Sequence, residues 1–473
     1  MRRATHPTGV EPSVGRGEAS PARTGHHPVP VPSLRSPHDR EIARLALPAL
    51  GALAAEPSYL LVDTAMVGRL AGDSLAALGL AASVLATLAG LAVVVAYATT
   101  AAVARLSGAG HDDDLRRVAT QALWLGGGTG LLAAVLAVVL GPTWIAALGG
   151  EGDTADDAVR YLRIAAPGLG CAVLGLAAQG WLRGTGDLRT PLLVVLVGNA
   201  VNVVLNPLLI HVAGWGLTGS AIATLTGQTV MGAWFVALLW RAGRPTVPGE
   251  RADRRPSGLL LRRLGRTGLL LLVRTGALLL TFAVAAGIAA RSGEPALAAH
   301  QIGWQLFVFL ALTLDAIAIA GQVLIGRALG GSRVDEARSA AGRMVVLTVV
   351  LGTLVGLVLL VARDPILSAF TPDGAVRAQA REMWPLLVLM LPFAAAVFAF
   401  DGILIGAGDA GFLAVAMVAA AVVGLPVMLA LHDAGEGIAG VWTGIVVVMA
   451  ARLAGTAWRF RGGRWARAGA WRG

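Results

Sequence analysis

Twelve long apolar runs, separated by short breaks that are charged or rich in Gly and Pro, decide what this chain can fold into. A helix needs about 20 apolar residues to cross the hydrocarbon core of a bilayer. From Ile42 onward the runs reach that length repeatedly, the first over 42–68 and the last over 438–458. Of the 473 residues, 56% are hydrophobic and only 14% charged, against roughly a quarter charged in soluble domains. The runs are too long and too evenly apolar for barrel strands, whose faces alternate between lipid and lumen. The expected fold is an all-α polytopic membrane protein with twelve transmembrane helices.

The chain contains no lysine, so its formal charge of +10 rests on 38 arginines. Arginine in short loops of a membrane protein marks the cytoplasmic side, which makes membrane lipid the natural partner and gives no reason to expect nucleic acid. Arg241, Arg244, Arg251, Arg254, Arg255, Arg262 and Arg263 fill the break between the sixth and seventh runs, and Arg459, Arg461, Arg464, Arg467 and Arg472 crowd the C-terminal end. Glu151, Asp153, Asp156 and Asp157 fall on the other side. Both termini are therefore expected in the cytoplasm and the protein in the plasma membrane, working as a monomer.

Residues 1–40 lack an apolar pattern able to offset the entropy of ordering and are expected to form a disordered tail. The remainder divides into a first lobe (41–241), an Arg- and Pro-rich linker (242–263), a second lobe (264–458) and a basic tail (459–473). A lone Cys171 leaves no intrachain disulfide and no Cys cluster for a metal. A phosphate-binding P-loop needs a lysine that the chain lacks, and HExxH is missing. Neither an enzyme, nor a metal, nor a cofactor is expected.

The two lobes repeat each other. Gly180, Gly184, Gly186 and Asp187 at the end of the fourth run recur as Gly402, Gly406, Gly408 and Asp409 at an offset of 222 residues, and Arg105 and Gly108 recur at that offset as Arg327 and Gly330. Gly216 and Gly219 recur as Gly437 and Gly440 at 221. Six helices per copy is an even number, so both copies share one orientation and the expected symmetry is a pseudo-two-fold about the membrane normal. Such repeats enclose a cavity that opens alternately to each side, as in secondary transporters.

Charged residues inside a span are costly and mark functional sites by default. The first run carries Glu56 and Asp63, seven residues or about two turns apart and so on one helix face. The fifth run (190–212) carries Asn199, Asn202 and Asn206, again on one face. These side chains can exchange a proton or hold a polar substrate, or the amides can simply join helices. The second lobe places Arg274 in the seventh run, Asp315 in the eighth with Gln301, Gln305 and Gln322, and Asp401 in the tenth. A buried ion pair between Arg274 and one aspartate is the favoured structural role, and His300 is expected at the interface. Shifted by 222, Asp63 falls on Ala285 and Asn202 on Gly424, so the carboxyl and amide cluster belongs to one lobe.

Several of these residues together resemble a known family. Leu47 with Pro48, the stretch from Val62 and Asp63 to Val67 and Gly68, Trp181 with Arg183 and Gly184, Gly198 with Asn199 and Asn202, and Ala299 with His300 and Gln301 are similar to the multidrug and toxic compound extrusion (MATE) family, nearest its DinF-like branch. The resemblance spans about residues 40 to 460. It implies two lobes around a V-shaped cavity and export of organic, cationic or amphipathic small molecules in exchange for protons or sodium. It places the coupling proton on Asp63, with Asn202 beside it. Where several relatives have a second acid four positions after that asparagine, this chain has Asn206, and Glu56 is the expected substitute. The sodium-coupled branch has a glutamate in the seventh helix that is absent here, although Asp401 resembles that branch's aspartate. Protons are thus expected ahead of sodium. A lipid-linked saccharide flippase of the wider superfamily is the rival reading. It calls for several cationic residues in the cavity, and only Arg274 reads as lying deep in a span.

Overall fold

The computed structural model describes residues 36–67, 74–245 and 253–471. Its first half comprises α1 (Pro37–Val67), α2 (Ser74–Ala92) and α3 (Val94–Ala109), α4 (Asp112–Ala147), α5 (Gly152–Gly184), α6 (Arg189–Pro207) and α7 (Gly216–Ala242). Its second half comprises α8 (Gly258–Arg291), α9 (Glu294–Gly330), α10 (Val334–Val361), the short α11 (Arg363–Phe370), α12 (Gly374–Gly406), α13 (Ala410–Asp433) and α14 (Gly437–Arg461). The described residues contain no strand. Helices α2 and α3 run on as one span of 36 residues with a turn at Val93, and α6 continues into a π turn over Leu208–Val212. Among the described residues, eleven spans are long and apolar enough to cross a bilayer. The 31-residue α1, about 46 Å at 1.5 Å per residue, makes the twelfth.

Every predicted span is present, but the helices outrun the apolar runs. α5 begins at Gly152 and α12 at Gly374, nine residues before the predicted starts, because hydropathy ends at charged residues while the backbone ladder does not. Asp153, Asp156, Asp157 and Arg160 ride on the first turns of α5, and Arg377, Arg381 and Glu382 on those of α12. The Asp373 carboxylate caps α12 by accepting from the Ala375 and Val376 amides at 2.7 and 3.4 Å. Leu131, Phe309, Val361 and Val422 point outward, a liability in water and the lipid-facing surface here. Inside, small residues let helices approach, as where Gly130 of α4 meets the Gly170 backbone of α5.

The two halves meet where α3 crosses α9, and the crossing obeys the sequence repeat. Gly108 lies against the Arg327 backbone, and its counterpart Gly330 lies against the Arg105 backbone. Arg327 donates to the Thr185 carbonyl, and its counterpart Arg105 donates to the Ala407 carbonyl at 3.3 Å. Thr185 and Ala407 are themselves 222 residues apart. Each half therefore grips the loop of the other with one guanidinium. The correspondence reaches the backbone just beyond: Gly110 is left-handed at φ 71°, and Ser332, its counterpart, adopts φ 60°.

This crossing lies on the face that carries the chain ends. The segment after α14 folds beneath it, with Trp465 buried and stacked on Phe460 at 5.4 Å between ring centres. Arg105 donates to the Arg467 and Gly469 carbonyls at 2.9 and 2.7 Å, and the Gly469 amide donates to the Leu329 carbonyl at 3.0 Å. The tail thus bridges α3 and α9, tying one half to the other.

Candidate coupling site and the seam between the lobes

Asp63 stands one turn before the end of α1 and is only 2% exposed. Its Oδ1 accepts from Asn206 Nδ2 at 2.6 Å and from the Ser220 hydroxyl at 2.9 Å. The chain of bonds continues: Asn206 Nδ2 also donates to Asn202 Oδ1 at 3.2 Å, and Asn202 Nδ2 donates to Thr224 Oγ1 at 3.1 Å. Thr224 in turn shares a hydrogen bond with the Tyr161 hydroxyl at 3.2 Å. All of these side chains are buried. Asn202 and Asn206 reach one another because four residues separate them on α6. The π turn begins just after Asn206 and Pro207; such turns gather at functional sites. Ser220 and Thr224 have the same spacing on α7.

Among the described residues, the surroundings of Asp63 are neutral. No arginine or histidine lies within ion-pair distance of it among the described residues, and Asn206 Oδ1 is left without a partner. A carboxylate there is stabilised by hydrogen bonds alone.

The second polar cluster lies at the seam, toward the face that carries the chain ends. Asp401 of α12 is gripped by two guanidinium groups, Arg274 of α8 and Arg452 of α14, the latter at 2.8 Å. Asp315 of α9 accepts from the Tyr97 hydroxyl of α3 at 2.8 Å, a bond that crosses from one half to the other. The charges of Arg183 and Arg274 both reach Asp315. Arg183, buried at the end of α5, donates to Gln179 Oε1 at 2.8 Å, with no carboxylate within ion-pair distance among the described residues.

The sequence profile described as MatE matches residues 48–208 and 274–429. The chain belongs to the MatE family. Protein DETOXIFICATION 44, chloroplastic, of Arabidopsis thaliana is 34% identical over 443 residues, covering 90% of this chain and 83% of that one. DNA damage-inducible protein F of Escherichia coli (strain K12) is 28% identical over 90% of this chain and 94% of its own. Among solved structures, the crystal structure of MATE in the bent conformation superposes with a TM-score of 0.81 at 24% identity, covering 90% of this chain and 96% of the other. The fold is thus the twelve-helix, two-lobed fold of MATE multidrug and toxin efflux transporters, in a multi-pass membrane protein.

Within this MATE fold, the residues singled out in the sequence separate into groups. Asp63, Asn202 and Asn206 come together, all three buried. Asn199 instead donates to the Ala55 carbonyl at 3.1 Å, joining α6 to α1. The side chain of Glu56 lies outside the described residues. Arg274 and Asp401 form the expected ion pair. Gln301 is exposed and stands apart from both clusters, near the start of α9, because the buried face there belongs to its neighbours His300 and Ile302. His300, expected at the interface, is 2% exposed and packs 5.9 Å from the Trp442 ring.

The expectation of a single deep arginine is corrected: Arg183 and Arg452 are buried as well. Arg183 lies in the last turn of α5, where arginine reads as interfacial, yet its side chain reaches back to Gln179; Arg452 lies well inside α14 and reaches Asp401. Ser220, Thr224 and Tyr161 gave no signal, since isolated hydroxyls are common in spans. The four-residue spacing of Ser220 and Thr224, matching that of Asn202 and Asn206, is the cue that could have found them.

Proposed function

We propose that this chain is a secondary active exporter that moves small organic, amphipathic compounds out across the plasma membrane in exchange for protons, with both termini cytoplasmic. The observation that carries the reading is the burial of Asp63 among side chains that, among the described residues, are neutral hydrogen-bonding groups. Such a group can gain and lose a proton without breaking an ion pair. Its chain of partners also has two self-consistent polarities. With Asp63 ionised, Asn206 and Ser220 donate to it, and the other amide bonds run away from Asp63, from Asn206 to Asn202 and from Asn202 to Thr224. With Asp63 protonated, its hydroxyl can donate to Asn206 Oδ1 once that amide turns over. Asn202 then turns so that its amide donates to Asn206 Oδ1 and its Oδ1 accepts from Thr224. One proton thereby reorients contacts among α1, α6 and α7, which supplies the differential interaction that a population shift requires. A cationic substrate bound near an ionised Asp63 is released when the proton arrives, so proton and cargo compete.

Sodium is disfavoured in the second lobe, where a cation would have to displace two guanidinium groups from Asp401. The test is efflux of a fluorescent organic cation from proteoliposomes under an imposed pH or sodium gradient. Efflux driven by the pH gradient and reduced to background by Asp63→Asn is expected, with Glu56→Gln altering the pH profile. Efflux driven by sodium and untouched by Asp63→Asn would move coupling to Asp401.

A second reading rests on the seam, where Arg183, Arg274 and Arg452 outnumber Asp315 and Asp401. Such a balance suits a cargo with an anionic head, as in a lipid-linked saccharide flippase. Arg183→Gln separates the two readings: it abolishes transport of an anionic cargo and leaves organic-cation efflux intact.

A further inference from the structure

Between α3 and α8, on the face that carries the chain ends, lies a cavity of about 290 Å³. Its two helical walls are graded alike. Along α3, Ala98, Ala101 and Ala102 lead down to Arg105; along α8, Leu270 and Thr267 lead down to Arg266 and Arg263. The end nearest the chain termini is therefore cationic and the deeper end apolar. Trp471 of the docked tail lines the cationic end, with the Arg263 guanidinium 5.2 Å from the centre of its ring.

Two of the charges at this end have no acidic partner among the described residues. Asp409, the carboxylate in the lining, is held by Arg459 at 2.7 and 3.3 Å. Arg105 is committed to the Arg467 and Gly469 carbonyls. Arg263 and Arg266 are exposed and have no acidic partner among the described residues. They sit on the first turns of a spanning helix, at the depth of lipid head groups, where arginine attracts anionic lipid. A free phosphate would use the arginines and leave the apolar wall without a purpose. The volume lies at the small end of ligand pockets, enough for a head group and the start of its chains.

We propose that this cavity binds one anionic phospholipid from the adjoining leaflet, with its phosphate between Arg263 and Arg266 and an acyl chain against Ala98, Ala101 and Leu270. The bound lipid touches helices from both lobes and the C-terminal tail. It therefore occupies the seam that must rearrange during transport.

The experiment is native mass spectrometry of the delipidated full-length protein, titrated separately with phosphatidylglycerol, phosphatidylcholine and inorganic phosphate. One tight phosphatidylglycerol adduct is expected, absent with phosphatidylcholine and not displaced by inorganic phosphate. An arginine near an anionic surface contributes about 1 kcal/mol, so the double variant Arg263→Gln, Arg266→Gln should weaken the adduct roughly 30-fold. The double variant Arg333→Gln, Arg338→Gln, on exposed arginines at the start of α10 and outside the cavity lining, should leave it unchanged. Equal binding of phosphatidylcholine, displacement by phosphate, persistence in the Arg263 and Arg266 variant, or equal loss in the Arg333 and Arg338 variant would each overturn the site.

Discussion

The two lobes share a frame and differ in what fills it. At the repeat offsets, Asp63, Tyr161, Asn202 and Asn206 of the first lobe correspond to Ala285, Met383, Gly424 and Met428 of the second, and Ser220 and Thr224 correspond to Val441 and Ile445. Every one of the first set is buried and hydrogen-bonded, and the side chains of the second pack in one apolar core with Trp384 and Trp442. Gly424 faces the Gly444 carbonyl and Val448 of α14, so the space that holds an amide in one lobe is closed by helix contact in the other. At the seam the asymmetry reverses: Asp401 with its two arginines stands at the position of Gln179 in the first lobe. A duplicated bundle keeps its glycines because shape requires them. The buried carboxylates Asp63 and Asp401, costly to bury without partners, each stand in one copy only.

The largest effect is expected where that second asymmetry is cut. Asp401→Ala strands Arg274 and Arg452, and removing one member of a buried ion network is worth about 3–5 kcal/mol. Thermal unfolding in detergent should show it as a large fall in melting temperature, whereas Gln179→Ala in the first lobe should shift it far less. An intermediate effect comes from exchanging interior fillings. Gly424→Ala drives a methyl group into α14 and should destabilise by about 1–3 kcal/mol. Asn202→Ala should leave the fold standing while disconnecting Asp63 from Thr224, read as lost proton coupling with retained substrate binding. The smallest effect concerns the backbone: a non-glycine residue in the left-handed region costs roughly 1–2 kcal/mol, so Ser332→Gly should raise stability by about 1 kcal/mol. Gly110→Ser should lower it by a similar amount, and unequal responses would show that the two turns are not equivalent.

Much of this was legible in the chain because it rests on long-range statistics of polarity. Twelve spans follow from bilayer thickness, and the pairing of Asp63 with Asn202 and Asn206 follows from helical spacing plus one resemblance. The helix ends were not legible, since charged first turns of α5 and α12 extend past the hydrocarbon and carry no hydropathy. Arg183, in the last turn of α5, was missed for a related reason. Position along a helix says where the Cα sits, and a long side chain can carry its charge several ångströms inward. Gln301 is exposed while its neighbours His300 and Ile302 are buried, because successive residues on a helix are turned by about 100° from one another.

The grip between the lobes has a consequence for acid and for evolution alike. Arg105 and Arg327 bond to main-chain oxygens of Ala407 and Thr185, and a carbonyl neither titrates near neutral pH nor depends on which side chain follows it. The bond is therefore indifferent to protonation in that range, and the crossing itself holds no acid-sensitive contact between these two pairs. It is equally indifferent to substitution at the acceptor positions, which are free to drift, as threonine on one side and alanine on the other already have. The burden of keeping the crossing falls on two arginines and two glycines.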